Sequence, residues 1–186
     1  MEATARKMTV DLTMADVNVR QDAFRAAMRQ LASGVSIVAA GHGERRAGIV
    51  ATSVSSFSME PPILLLCVAR NSSLAPALRH FGHFSANFVR ASQADLATRF
   101  SGRNGIERSQ RFNAGNWTTL VTGAPVLIDA LASIDCDIEE IIDRHTHLIV
   151  LGRVAAVRAD GSDDALGRWR GHYVSIRADA KRGGDR

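Results

Sequence analysis

The stretch that most restricts this chain's fold is Ile63-Leu64-Leu65-Leu66-Cys67-Val68-Ala69, a continuous apolar run bounded by Pro61-Pro62 and Arg70-Asn71. A run this short reads as a strand buried on both faces, because a half-wet strand would alternate. Such a strand needs partners on either side, and the chain supplies them. Val35–Ala40, Ala47–Ser53, Phe84–Val89, His147–Arg158 and Trp169–Ile176 all read as strands. Within 132–143, Ile134, Cys136 and Ile138 alternate with Asp135, Asp137 and Glu139, the pattern of a strand with one wet face. Gly41-His42-Gly43-Glu44 is a turn between two of these strands. It is no dinucleotide fingerprint, since Gly48 is mis-spaced for G-x-G-x-x-G and a strand follows.

Helices are few and short. Phe24, Ala27, Met28 and Leu31 fall at i, i+3, i+4 and i+7, which predicts a helix over Asp22–Ser33 with Asp22 as cap and Gly34 as stop. Two more are expected near Leu74–Phe81 and from about Ser92 to Phe100. Ser53–Pro62 reads as a hydroxyl-rich loop, and 101–118, rich in Gly, Asn and Arg, as a long surface loop. About seven strands joined mostly by short turns predict a closed antiparallel barrel rather than a doubly wound sheet. Residues 1–19 are expected to form a flexible arm, 20–176 the single domain, and 177–186 a charged tail.

Composition removes several functions. No apolar run approaches the roughly 18–20 residues of a membrane span, and no apolar segment follows the N-terminus as in a signal peptide. Cys67 and Cys136 both sit inside apolar strands, as small core residues of a reducing compartment do, so a cytoplasmic location is expected. The net charge of +4 is spread along the chain and only 5% of residues are aromatic. That is poor material for a nucleic-acid surface, and a few cations meeting the phosphates of a small ligand explain the same bias.

Three constellations could carry chemistry. Gly48 to Ser58 ends a strand in small hydroxyl residues, which lets a flat polar ring approach the main chain. Ala69-Arg70-Asn71-Ser72-Ser73 precedes a helix and offers hydroxyls, backbone N–H groups and a guanidinium to a phosphate; Ser73 could equally be a simple helix cap. His145 and His147 share a strand face, but no third ligand with metal-site spacing accompanies them, so no metal is expected. No nucleophile elbow, P-loop or H-E-x-x-H is present.

Taken in order, eight segments resemble a known family. They are Phe24–Val35, Gly48–Pro62, Cys67–Ser73, Phe84–Val89, Arg99–Gly102, Gly123–Leu127, Thr146–Gly152 and Arg170–Tyr173. This set is similar to the flavin reductases, the small reductase components of two-component flavin-dependent monooxygenases. The resemblance implies a mainly β, Greek-key antiparallel split β-barrel with a few short helices, working as a homodimer. It implies NAD(P)H-dependent reduction of FMN or FAD, with NADH or NADPH as co-substrate and a monooxygenase as recipient of the reduced flavin.

By the same resemblance, Val50, Ala51, Thr52, Ser53 and Ser56 would line the flavin ring and ribityl chain. Ala69, Arg70, Asn71, Ser72 and Ser73 would hold its phosphate, and Asn87 would join the cofactor site. His147, five places before Gly152, would meet the nicotinamide, with Tyr173 and Phe100 nearby. Val50 and Ala69 stand where the family often has Thr and Asn, which removes two side-chain hydrogen bonds to flavin. Hydride transfer between two cofactors explains why no acid–base pair stands out. A non-catalytic flavin- or haem-binding barrel is the alternative reading.

Overall fold

The computed structural model describes residues 14–102, 105–160 and 163–178, with the side chains of 14–19 and 109 left aside. The first helix, α1, runs Met14–Met28 and so begins well before Asp22, inside the segment expected to be a loose arm. Residues 1–13, and 179–186 of the expected tail, lie outside the described residues. Arg177, at the start of that tail, is held by Asp164 at 2.9 Å. No described helix is long and apolar enough to cross a membrane.

After α1 come β1 (Ser33–Gly34), β2 (Ser36–Ala40), β3 (Ala47–Ala51), β4 (Val54–Met59) and β5 (Pro62–Ala69). Helix α2 (Ala75–Phe81), β6 (His83–Phe88) and α3 (Ala94–Phe100) follow. The chain ends with β7 (Trp117–Thr118), β8 (Val126–Leu127), β9 (Ala132–Arg144), β10 (His147–Ala159), β11 (Ala165–Trp169) and β12 (His172–Ile176). The main sheet has seven strands in the order β3-β2-β6-β9-β10-β5-β4, every pair antiparallel.

The two edge strands of that sheet, β3 and β4, are consecutive in the chain and joined only by Thr52 and Ser53. Laid flat, they would stand six strand spacings apart, roughly 29 Å. The three steps from Ala51 to Val54 reach at most about 11 Å. The sheet must therefore curl until its edges lie side by side, a barrel whose seam between β3 and β4 is crossed by chain but not by ladder bonds. This is the split barrel that the resemblance implied.

Two expectations give way. The supposed loop Ser53–Pro62 contains β4, paired with β5 from Val54–Leu66 to Met59–Pro62 with an irregularity between Ser56 and Ser58. Its serines mask a strand because the edge of the sheet leaves Ser55 and Ser56 exposed and Ser58 only half-buried. Trp169–Ile176 is the second half of the β11–β12 hairpin, turned at Arg170 and Gly171, whose φ values are 50° and 87°.

The apolar residues form two cores. Val38, Leu64, Leu66, Val68, Phe84, Leu148 and Val150 fill the barrel, plugged at one end by Leu74, Ala77 and Leu78. Val35, Ile37, Val89, Phe100, Phe112, Leu127 and Leu166 make a second core. Neighbours Ile37 and Val38 go to opposite cores, so β2 is buried on both faces. On β5, by contrast, Leu65, Cys67 and Ala69 remain half-exposed. Cys136 is buried, and its thiol is pushed up to about 12 by burial and then by Asp135 and Asp137. It is a packing residue, as its apolar context predicts.

Gly152 makes room for the largest barrel side chain. A Cβ there would lie 2.5 Å from the Phe84 ring. Gly152→Ala is therefore expected to cost about 1–3 kcal/mol by overpacking, read as a lower midpoint in urea unfolding. An unchanged midpoint would show that Phe84 can move aside.

Candidate functional site

The seam draws several of the expected residues together. Thr52 is exposed, and Ser53 is anchored by its Oγ donating to the Cys67 carbonyl at 2.7 Å. Both line a cleft of about 770 Å³ with Met28 and Leu31 and with Arg25, Arg29, Arg168 and Arg170. A smaller hollow of about 180 Å³ adjoins it through Thr52 and Arg168, and adds Val50, Ser101 and Tyr173. The Tyr173 hydroxyl is buried without a hydrogen-bond partner, while Arg168 stacks over its ring at 5.0 Å. A buried, unsatisfied hydroxyl at a hollow lined by a threonine and an arginine is an opening for a polar ligand. Ala51, between Val50 and Thr52, points the other way into the barrel core.

Beyond β4, β5 and β10 set the next residues. His147 pairs directly with Ala69, and the Arg70 amide donates to the Thr146 carbonyl at 3.0 Å. The exposed His147 ring is fixed by a 2.8 Å hydrogen bond between Nδ1 and Thr146 Oγ1. Two strand spacings across and two residues along separate it from Ser53, roughly 12 Å.

The 69–73 segment divides. Ser72 Oγ accepts from the Ala75 amide at 3.2 Å, so Ser72, not Ser73, serves the start of α2. Ser73 instead faces a cavity of about 860 Å³ with Ala47, α2 residues and Arg45, Arg46, Arg108 and Arg111. Arg70 does not line that cavity. Its Nε lies 3.2 Å from Asp143 Oδ1, and Arg79 holds the other oxygen of the same carboxylate at 2.7 Å. Asn71 is exposed and lines none of these cavities.

Three expected site residues belong elsewhere. The Asn87 side chain is fully buried and consumed by the core. Nδ2 donates to the Ile37 carbonyl and Ser85 Oγ at 3.0 Å, and Oδ1 accepts from the Leu127 amide and Ser133 hydroxyl at 2.8 Å. Nothing is left to offer a ligand. Phe100 is 1% exposed and packed on Phe112 and Trp117, where its ring also fills the space above Gly48. Ser56 sits on the exposed part of β4, beside Met59, away from both clefts. The arginines at 45, 46, 108, 111 and 168 were missed because they come from separate stretches of sequence, and only the fold collects them.

Two measurements probe this arrangement. The hydrogen bond from Arg79, and then the charges of Arg79 and Arg70, hold the Asp143 carboxyl below the usual carboxylate range. A depressed value means that the tether is intact at neutral and mildly acidic pH and is lost as pH falls through it. An NMR titration should place Asp143 below an ordinary aspartate, and Arg79→Ala should raise it; equal midpoints would dissolve the tether. Asn87→Ala should cost about 2–4 kcal/mol by stranding buried partners, measured by chemical denaturation. A loss under ~1 kcal/mol would show that the network matters little.

Comparison with known proteins gives this geometry a family. The flavin reductase like domain matches residues 28–177. The "FMN reductase (NADH) RutF 2" of Methylorubrum extorquens (strain PA1) is 41% identical over 167 residues, covering 88% of this chain and 94% of the relative. Among solved structures, BorF, the flavin reductase component of a bacterial two-component tryptophan halogenase, superimposes with a TM-score of 0.78 at 27% identity, covering 86% of this chain and 99% of that one. A homologue of nitrilotriacetate monooxygenase component B from Mycobacterium thermoresistibile gives 0.80 at 25% identity, covering 91% and 93%. The chain belongs to the flavin reductase like domain family.

Proposed function

We propose that this chain is an NADH:flavin oxidoreductase that reduces FMN and passes the reduced flavin to a flavin-dependent monooxygenase. The observation that carries the reading is the seam itself. Its cleft at Thr52 and Ser53 adjoins the unsatisfied Tyr173 hydroxyl and lies roughly 12 Å from an oriented histidine. The residues fit a flavin: an apolar floor from Met28 and Leu31, a small-residue strap at Thr52 and Ser53, and polar edges from Thr52, Tyr173 and Arg168. The name of the Methylorubrum relative supports FMN and NADH. The halogenase reductase component supports delivery to a second enzyme.

A bound flavin supplies the ring that accepts hydride from the reduced nicotinamide. The protein's task is placement. Thr52 and Ser53 meet the ring edge with hydroxyls and main chain, and the Ser53–Cys67 bond keeps that strap still. His147, fixed by Thr146, orients the nicotinamide carboxamide on the open side. Holding the two rings in contact removes much of the barrier that independent molecules face.

A homodimer completes the reading. Phe24, Met28 and Leu31 leave an apolar face of α1 and its following turn exposed, and Trp169 stands exposed on β11. Leu65 and Cys67 add half-covered apolar area on β5. A second copy is the partner best matched to such a surface. Two free cysteines agree with a cytoplasmic setting.

Anaerobic stopped-flow of the purified chain with FMN and NADH should show flavin bleaching coupled to NADH oxidation. His147→Ala should raise KM for NADH at least about fivefold while changing the FMN Kd less than about twofold. Flavin binding without NADH oxidation in the wild type would instead support the non-catalytic binder, to which the missing side-chain bonds at Val50 and Ala69 point.

A further inference from the structure

The His147 ring stands at the tip of the β9–β10 hairpin, directly after the His145-Thr146 turn, and hairpin tips are ordinarily mobile. A side chain that orients a cofactor needs the opposite. Here the tip is tied to a rigid part of the molecule by an unbroken series of polar contacts. Arg79 Nη2 donates to Asp143 Oδ2 at 2.7 Å, and Arg70 Nε lies 3.2 Å from the other oxygen, Oδ1. The Arg70 amide donates to the Thr146 carbonyl at 3.0 Å, and Thr146 Oγ1 holds His147 Nδ1 at 2.8 Å.

Both ends of the series have little freedom. Arg79 follows Leu78 on α2, and Leu78, with Leu74 just before the helix, is fully buried in the plug of the barrel. At the other end, Asp143 opposes Leu148 and Arg144 opposes His147 on adjacent rungs of the ladder. A shift of Asp143 is therefore passed to the strand that carries the imidazole. The turn offers no slack to absorb it, because His145 already sits at φ 47°, a region few side chains adopt.

Stability does not account for this convergence. Asp143, Arg70 and Arg79 are all half-exposed, and single ion pairs so open to water contribute little to folding. What the shared carboxylate does is fix geometry, since charge-assisted hydrogen bonds hold direction as well as distance. It gathers α2, the segment after β5 and the tip of β9 at one point.

We infer that Asp143 is a positioning residue for the nicotinamide, acting with Arg79 and Arg70 to hold His147 where NADH docks. The inference rests on the reading of His147 above and gives Arg70 a post on the nicotinamide side. Asp143 works only through the hairpin tip. None of Asp143, Arg79 and Arg70 lines the hollows at Thr52, so flavin binding does not depend on them.

The test is a double-mutant cycle in steady-state kinetics on the full-length protein. Asp143→Asn keeps the shape and removes the charge. It should raise KM for NADH about two- to fivefold, with kcat and the FMN Kd each changed less than about twofold. Introduced into His147→Ala, the same substitution should add nothing, because residues that act through one another are not additive. Arg79→Ala, on the outer face of α2, should move KM in the same direction and keeps the test open if Asp143→Asn fails to fold. A KM unmoved in both variants overturns the inference. So does a rise of equal size with and without His147, which would place the effect elsewhere. Equal KM values for wild type and His147→Ala would instead overturn the nicotinamide reading of His147 and this inference with it.

Discussion

Two residues, Thr52 and Ser53, must carry the backbone from one edge of a seven-stranded sheet to the other, and that short reach governs the rest of the molecule. It forces curvature on the whole sheet, since the far edges have to meet wherever the strap allows. Closure stops short of a full ladder, since no strand pairing among the described residues joins β3 to β4 across the seam. The result is a barrel with a permanent groove, and the groove is where polar main chain, small hydroxyls and arginines come within reach of a ligand. Site and fold share one cause.

The molecule treats its buried polar groups in two contrasting ways. Around Asn87 every donor and acceptor is answered by Ile37, Ser85, Leu127 or Ser133, and that cluster ties β2, β6, β8 and β9 into one unit. Asp135 is likewise satisfied by the amide and hydroxyl of Thr122. Tyr173 at the groove, Arg111 at the cavity beside α2, and His83 on β6 keep buried atoms without partners. Low-dielectric surroundings make satisfied networks rigid and unsatisfied groups costly.

Much of this was legible in the sequence, and the failures have physical reasons. Alternation and turn residues located most of the strands, and eight ordered segments gave the family. The Ser-rich β4 was hidden because an edge strand with a wet face lacks the apolar signature of its neighbours. Asn87 and Phe100 were misplaced because a polar or aromatic residue in a strand or helix has no mark of which face it takes until the second core is known. Arg70 looked like a phosphate ligand beside two serines, yet Asp143, distant in sequence and paired with a neighbouring strand, captures it. Arg46, Arg108 and Arg111 converge only through tertiary packing, so no local pattern announces them.

The strand order also fixes when the groove can come into being. The β9–β10 hairpin closes over the two-residue turn His145-Thr146 and needs only local contacts. β5 must wait for β10, since Ala69 meets His147 across nearly half the chain. Contacts so distant in sequence carry the greater loop-closure cost and form late. A nascent chain emerging from the ribosome therefore holds β2 to β6 without a completed groove until β10, and then β11 and β12 with Arg168 and Tyr173, have been synthesised. Recognition of any ligand there is a property of the finished polypeptide, and no N-terminal fragment inherits a share of it.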